Sequence, residues 1–89
     1  MTHTHAPRHA QRQRHYEIAR QIYRGASVSS VAEVFRRPTR YVRSTWTGFI
    51  KAHVPDVWEA TKNLPQDERL DAQRAMFEFP SPTYRSLSR

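Results

Sequence analysis

No cysteine occurs among the 89 residues, which excludes disulfides and thiolate metal sites and gives no sign of an oxidising compartment. Glycine is scarce, at two residues, and no run alternates apolar with polar residues over strand length between turn signals. That pattern argues against a sheet. No apolar stretch approaches the roughly 18 residues of a membrane span, and the amino-terminal segment lacks the apolar heart of a secretion signal. Apolar residues make up only 37% of the chain and the mean hydropathy is −0.88, so the core must be small. A chain of this length forms one domain, not two. The expectation is an all-α fold of short helices in a soluble, cytoplasmic protein.

What the chain has in excess is arginine. The formal net charge is +7 and the pI about 10.8. Between residues 1 and 53, ten basic groups (Arg8, Arg12, Arg14, Arg20, Arg24, Arg36, Arg37, Arg40, Arg43 and Lys51) face only Glu17 and Glu33, a balance of +8, whereas residues 54–89 come to −1. A surface kept basic merely for solubility need not collect its charge in one segment. The planar guanidinium fork suits phosphates and guanine edges, and a polyanionic partner is the natural inference.

Along the chain, residues 1–8 show no apolar periodicity and read as a flexible basic arm. A domain over 9–78 and a serine- and proline-containing tail over 79–89 follow. The first helix is expected from about His9 to Arg24, with Tyr16, Ala19, Ile22 and Tyr23 on one stripe and Ile18 beside it. Gly25 then stands where a left-handed cap ends a helix. Ser27 is placed to cap a second helix in which Val28, Val31, Ala32 and Phe35 recur at helical spacing. Arg36-Arg37-Pro38 breaks the pattern, since a proline disfavours helical geometry in the residue before it. Thr39 is the next capping residue, opening a third helix to about His53 with Val42, Trp46, Phe49, Ile50 and His53 inward. A connection this short makes the second and third helices cross steeply. Pro55 starts a fourth helix, about 55–63, burying Val57, Trp58 and Leu64. Pro65 with Asp67 and Glu68 starts a fifth, about 65–78, with Leu70, Arg74, Met76 and Phe77 near one side.

The segment SVSSVAEVFRRPTRYVRSTW, Ser27 to Trp46, resembles the helix-turn-helix of small bacterial and phage regulators, close to its homeodomain-like and sigma-region-4-like versions. The small residue at the helix crossing corresponds to Ala32, flanked by apolar Val31 and Phe35. The apolar residue of the second helix corresponds to Val42, and Trp46 continues the core. Arg36 stands where a glycine is usual and Arg37 where an apolar residue is usual, with Pro38 expected to take the latter's space. The resemblance implies a sequence-specific protein that regulates transcription from the major groove of double-stranded DNA. It also implies a cytoplasmic, nucleoid-associated or phage-encoded setting.

With Val42 and Trp46 inward, the outward face of the third helix is Thr39, Arg40, Arg43, Ser44 and Thr47, with no acidic group. Helix amino-termini meet base edges in the major groove, so these residues are the candidate reading face. Arg36 and Arg37 in the turn and Arg12 and Arg14 in the first helix are candidate phosphate contacts. The same residues have a blander reading, an amphipathic helix with a basic solvated face.

Other chemistry finds little footing. His3, His5, His9 and His15 lack a cysteine or carboxylate to complete a metal site, so neither metal nor cofactor is expected. No nucleophile has a base and an orienting acid at a suggestive spacing, and no enzyme is expected. Asp67, Glu68 and Asp71 are explained as helix-start residues. Two alternatives stay open. One is an interaction module that grips RNA polymerase or another nucleic-acid enzyme through Trp58, Phe77, Phe79 and Tyr84, a surface that also suits a homodimer. The other is RNA binding through the arginine-rich arm.

If about five arginines neutralise phosphates, affinity for duplex DNA falls by roughly two to three powers of ten between about 50 and 200 mM salt. A polarisation titration at the two concentrations measures this, and an affinity indifferent to salt contradicts a phosphate-driven surface.

Overall fold

A computed structural model describes residues 8–80. It contains five helices: α1 (Arg8–Tyr23), α2 (Val28–Phe35), α3 (Thr39–His53), α4 (Pro55–Thr61) and α5 (Gln66–Ala75). No strand occurs among the described residues. The fold is all-α, and α3 is its hub, packing against α1, α2 and α4, while α5 packs on α4. The expected arm, residues 1–8, lies outside the described residues except for Arg8, which begins α1.

The helix boundaries follow from local chemistry. At the end of α1, Gly25 takes φ 108°, its amide donates to the Ile22 carbonyl and the Ala26 amide donates to the Gln21 carbonyl. That pair of reversed bonds satisfies carbonyls a helix end would otherwise leave open. Ser27 caps α2 as expected: its Oγ accepts from the Ser30 amide at 3.1 Å, and the Ser30 hydroxyl donates back to the Ser27 carbonyl. Thr39 does not cap α3. Pro38 occupies the cap position without a side-chain bond, and Thr39 is the first helical residue. Proline's fixed φ, here −63°, suits that extended position, so the boundary falls one residue earlier than the hydroxyl suggested.

The core is Ile18, Ala19 and Ile22 of α1, Val31 and Ala32 of α2, Val42, Trp46, Phe49 and Ile50 of α3, and Val57 of α4. Two further buried residues are polar. The Trp46 indole Nε1 donates to Gln73 Oε1 at 2.7 Å, Gln73 Nε2 donates to Thr61 Oγ1 at 3.0 Å, and the Thr61 hydroxyl donates to the Val57 carbonyl at 2.7 Å. One chain of bonds thus joins α3, α5 and α4, and in a buried setting each of its members is costly to leave unpaired.

The carboxy-terminal part departs most from the expected layout. α5 ends at Ala75, and residues 77–80 form an irregular strap across α1 and α3. The ring of Phe79 stacks on Phe49 at 4.9 Å and that of Phe77 lies 5.2 Å from Tyr23. The Tyr23 hydroxyl donates to the Phe77 carbonyl and the Tyr16 hydroxyl to the Pro80 carbonyl. The tail expected from residue 79 therefore begins with two docked residues; 81–89 lie outside the described residues. Met76, expected inward, is 48% exposed, and His53 is exposed with its ring against Phe49. Arg74 sits on the inner side as expected but acts as a polar clamp. Its Nε donates to the Ile22 carbonyl at 2.7 Å and its Nη2 to the Ala26 carbonyl at 3.0 Å, holding the end of α1.

Replacing Gln73 by leucine keeps the bulk but leaves the indole N–H without an acceptor. Stability should fall by about 1–3 kcal/mol, read by urea unfolding. A variant as stable as the parent would show that the polar chain contributes nothing beyond volume.

Candidate nucleic-acid interface

The face of α3 opposite the core is set by helical spacing. Val42, Trp46, Phe49 and Ile50 turn inward, which leaves Arg40, Arg43, Ser44 and Thr47 outward. Thr47 is half-buried and the other three are exposed. Together with Gly48, Lys51 and Gln66 they line one open, shallow concavity between the length of α3 and the first residue of α5. No acidic side chain lines it, and among the described residues Arg40, Arg43 and Lys51 form no ion pair.

The remaining candidate residues distribute around this surface. Arg36, Arg37, Pro38 and Thr39 line a second open hollow with Ser29, Ser30, Ala32 and Glu33 of α2, immediately before the outward face of α3 begins. Arg36 has φ 57°, the left-handed region, at the position where a glycine is usual. Its amide donates to the Glu33 carbonyl and the Arg37 amide to the Ala32 carbonyl at 3.0 Å, repeating with arginine the closure that Gly25 makes after α1. Pro38 does not fill the space of the missing apolar turn residue: it is exposed, as is Arg37, whose guanidinium lies 5.4 Å over the Tyr41 ring.

Arg12 and Arg14 line neither hollow. Arg12 is exposed and precedes His15 by one turn; His15 Nε2 and the Tyr41 hydroxyl are 3.1 Å apart, which ties that side of α1 to the flank of α3. Arg14 precedes buried Ile18 by one turn and is half-buried. The site as assembled is thus Arg40, Arg43, Ser44 and Thr47 as a group, with Arg36, Arg37 and Thr39 beside it and Arg12 and Arg14 apart from it.

Three residues of the concavity were not singled out in the sequence. Lys51 was legible as the continuation of the outward face, one turn beyond Thr47. Gly48 lies on the same side of the helix. Gln66 carried no signal, because its place depends on how α5 docks. Lys51 is also steadied: its Nζ lies 4.7 Å over the ring of Trp58 on α4. No group of histidines and carboxylates among the described residues is arranged to hold a metal ion. No described helix is long and apolar enough to cross a membrane.

Comparison with protein-family models, curated proteins and solved structures returns no match for the chain.

The conformation of Arg36 has a measurable consequence. Arg36→Val should cost about 1–3 kcal/mol because a β-branched residue tolerates left-handed geometry poorly, whereas Arg36→Gly should hold or raise stability. Thermal unfolding of the pair checks this; equal losses in both would mean that position 36 is not held in the left-handed region.

Proposed function

We propose that α2 and α3 are a helix-turn-helix and that the protein binds double-stranded DNA, α3 entering the major groove by its amino-terminal end, in the manner of a small transcriptional regulator. The observation that carries this reading is the convergence of Arg40, Arg43, Ser44 and Thr47 on one acid-free concavity, backed directly by the core residues Val42 and Trp46. An α-helix fits the groove, and arginines in its first two turns reach base edges from a frame that packing holds still. Ser44 and Thr47 add hydroxyls that donate to phosphate oxygens or bases. Arg36 and Arg37, in the turn before the helix, stand where a backbone phosphate passes as a helix enters. Arg12, on the flank, adds general attraction.

The interaction-module alternative draws less support. Phe77 and Phe79, which were to be its contact, are spent on Tyr16, Tyr23 and Phe49 within the chain, and Trp58 is half-buried under Lys51 and Arg69. Tyr84 lies outside the described residues.

Selection from randomised duplexes, followed by titration of variants on the preferred site, tests the reading. Arg40→Ala and Arg43→Ala should each cost about 1–3 kcal/mol and relax preference at a base position. Arg12→Ala should weaken all sequences alike. If both α3 arginines are dispensable for DNA yet needed to hold a protein partner, the surface is a protein-binding one. Tighter binding to structured RNA than to duplex would likewise overturn the reading.

A further inference from the structure

Gly48 lies in the interior of α3, where a glycine weakens a helix relative to alanine. Nothing among the described residues calls for it. Only Gly25 of the two glycines has a positive φ, and a Cβ built at Gly48 would meet no described atom within 4 Å beyond its chain neighbours and its own turn of helix backbone. The residue faces the same concavity as Arg40, Arg43, Ser44, Thr47, Lys51 and Gln66. A bare helix backbone flanked by a cation and an amide is a surface that another chain can approach closely. Lys51 supplies the charge, held over Trp58, and Gln66 supplies an N–H donor from across the hollow. The Trp46–Gln73–Thr61 bonds lock α5 in place two turns beyond Gln66 and so fix the stretch of helix from which that donor projects.

We infer that Gly48, Lys51 and Gln66 form a seat for one sugar–phosphate strand of the bound duplex, making the interface a composite of α3 and the start of α5. This rests on the DNA-binding reading above and deepens it. The strand lies against the Gly48 backbone, with a phosphate oxygen accepting from the Lys51 ammonium and the Gln66 amide. The next two residues of α5, Asp67 and Glu68, are exposed and carry the opposite sign, so the attraction rests on Lys51 with Arg40 and Arg43. Contact with phosphate rather than bases means that the seat adds affinity to every sequence alike.

Full-length protein titrated with a random duplex of about 20 base pairs, beside thermal unfolding, is the test. Gly48→Ala should raise Tm by a few degrees, because alanine strengthens the helix and meets no clash, while it weakens binding about five- to tenfold. Gln66→Ala should leave Tm in place and weaken binding about three- to tenfold, the worth of one hydrogen bond. Gln66→Glu should weaken it further by facing a phosphate with like charge. A Gly48→Ala variant that melts higher and binds as the parent does overturns the seat, as do Gln66 variants with parental affinity. In either case continued sensitivity to Arg40→Ala and Arg43→Ala leaves the DNA-binding reading intact. Failure of the parent protein to bind duplex overturns both.

Discussion

The bond from the Trp46 indole to Gln73 holds the rest of the molecule in register. Trp46 stands at the middle of α3, the helix that packs against α1, α2 and α4, and its buried ring lies 6.3 Å from that of Phe49 and 6.1 Å from that of Phe77. A ring that size can slide within an oily core. The N–H cannot, once its acceptor is a buried amide whose other end is tied to Thr61. With ten buried apolar residues among the described residues to hold five helices, directional bonds specify what the hydrophobic contacts leave loose. The Arg74 clamp on the end of α1 and the Phe77–Phe79 strap over α1 and α3 extend the same solution around the domain.

Holding α3 from behind has a consequence for its front. The positive charge of the amino-terminal half is spread over α1, the turn and α3, and on α3 it is backed by the buried residues Val42, Trp46, Phe49 and Ile50. A helix fixed in this way presents Arg40, Arg43, Ser44 and Thr47 at constant spacing, which a reading surface needs and a solvated basic face does not. The turn carries a conformational strain of its own. Arginine at a left-handed φ of 57° costs stability that glycine would not, and it leaves a guanidinium at the entrance to the α3 face.

Periodicity made most of the architecture legible. The capping Ser27, the closing Gly25, the break at Arg36-Arg37-Pro38 and the inward placement of Val42, Trp46, Phe49 and Ile50 follow from local rules and stand as expected, whereas His53, expected inward with them, is exposed. Thr39 was misplaced because a hydroxyl and a preceding proline both suit the cap, and the proline took it. The elements that escaped depend on tertiary contact. Gln73 looks like any polar residue on an acidic, amphipathic helix until α5 is laid on Trp46. Phe77 was placed on the fifth helix and Phe79 in the tail, although their alternation with exposed Glu78 is that of a segment with one face covered. The outward face of α3 was readable from spacing alone. Gln66, which joins it from another helix, was not.

Chemical-shift mapping of the uniformly labelled protein with a random duplex, at low salt, tests the central claim most directly. The perturbed amides should fall on residues 36–51 and on Gln66 at the start of α5. The second half of α5 and the strap at 77–80 should stay unmoved. Perturbations centred on the strap at 77–80, with α3 silent, would place the nucleic-acid contact away from the α3 concavity and contradict the DNA-binding reading.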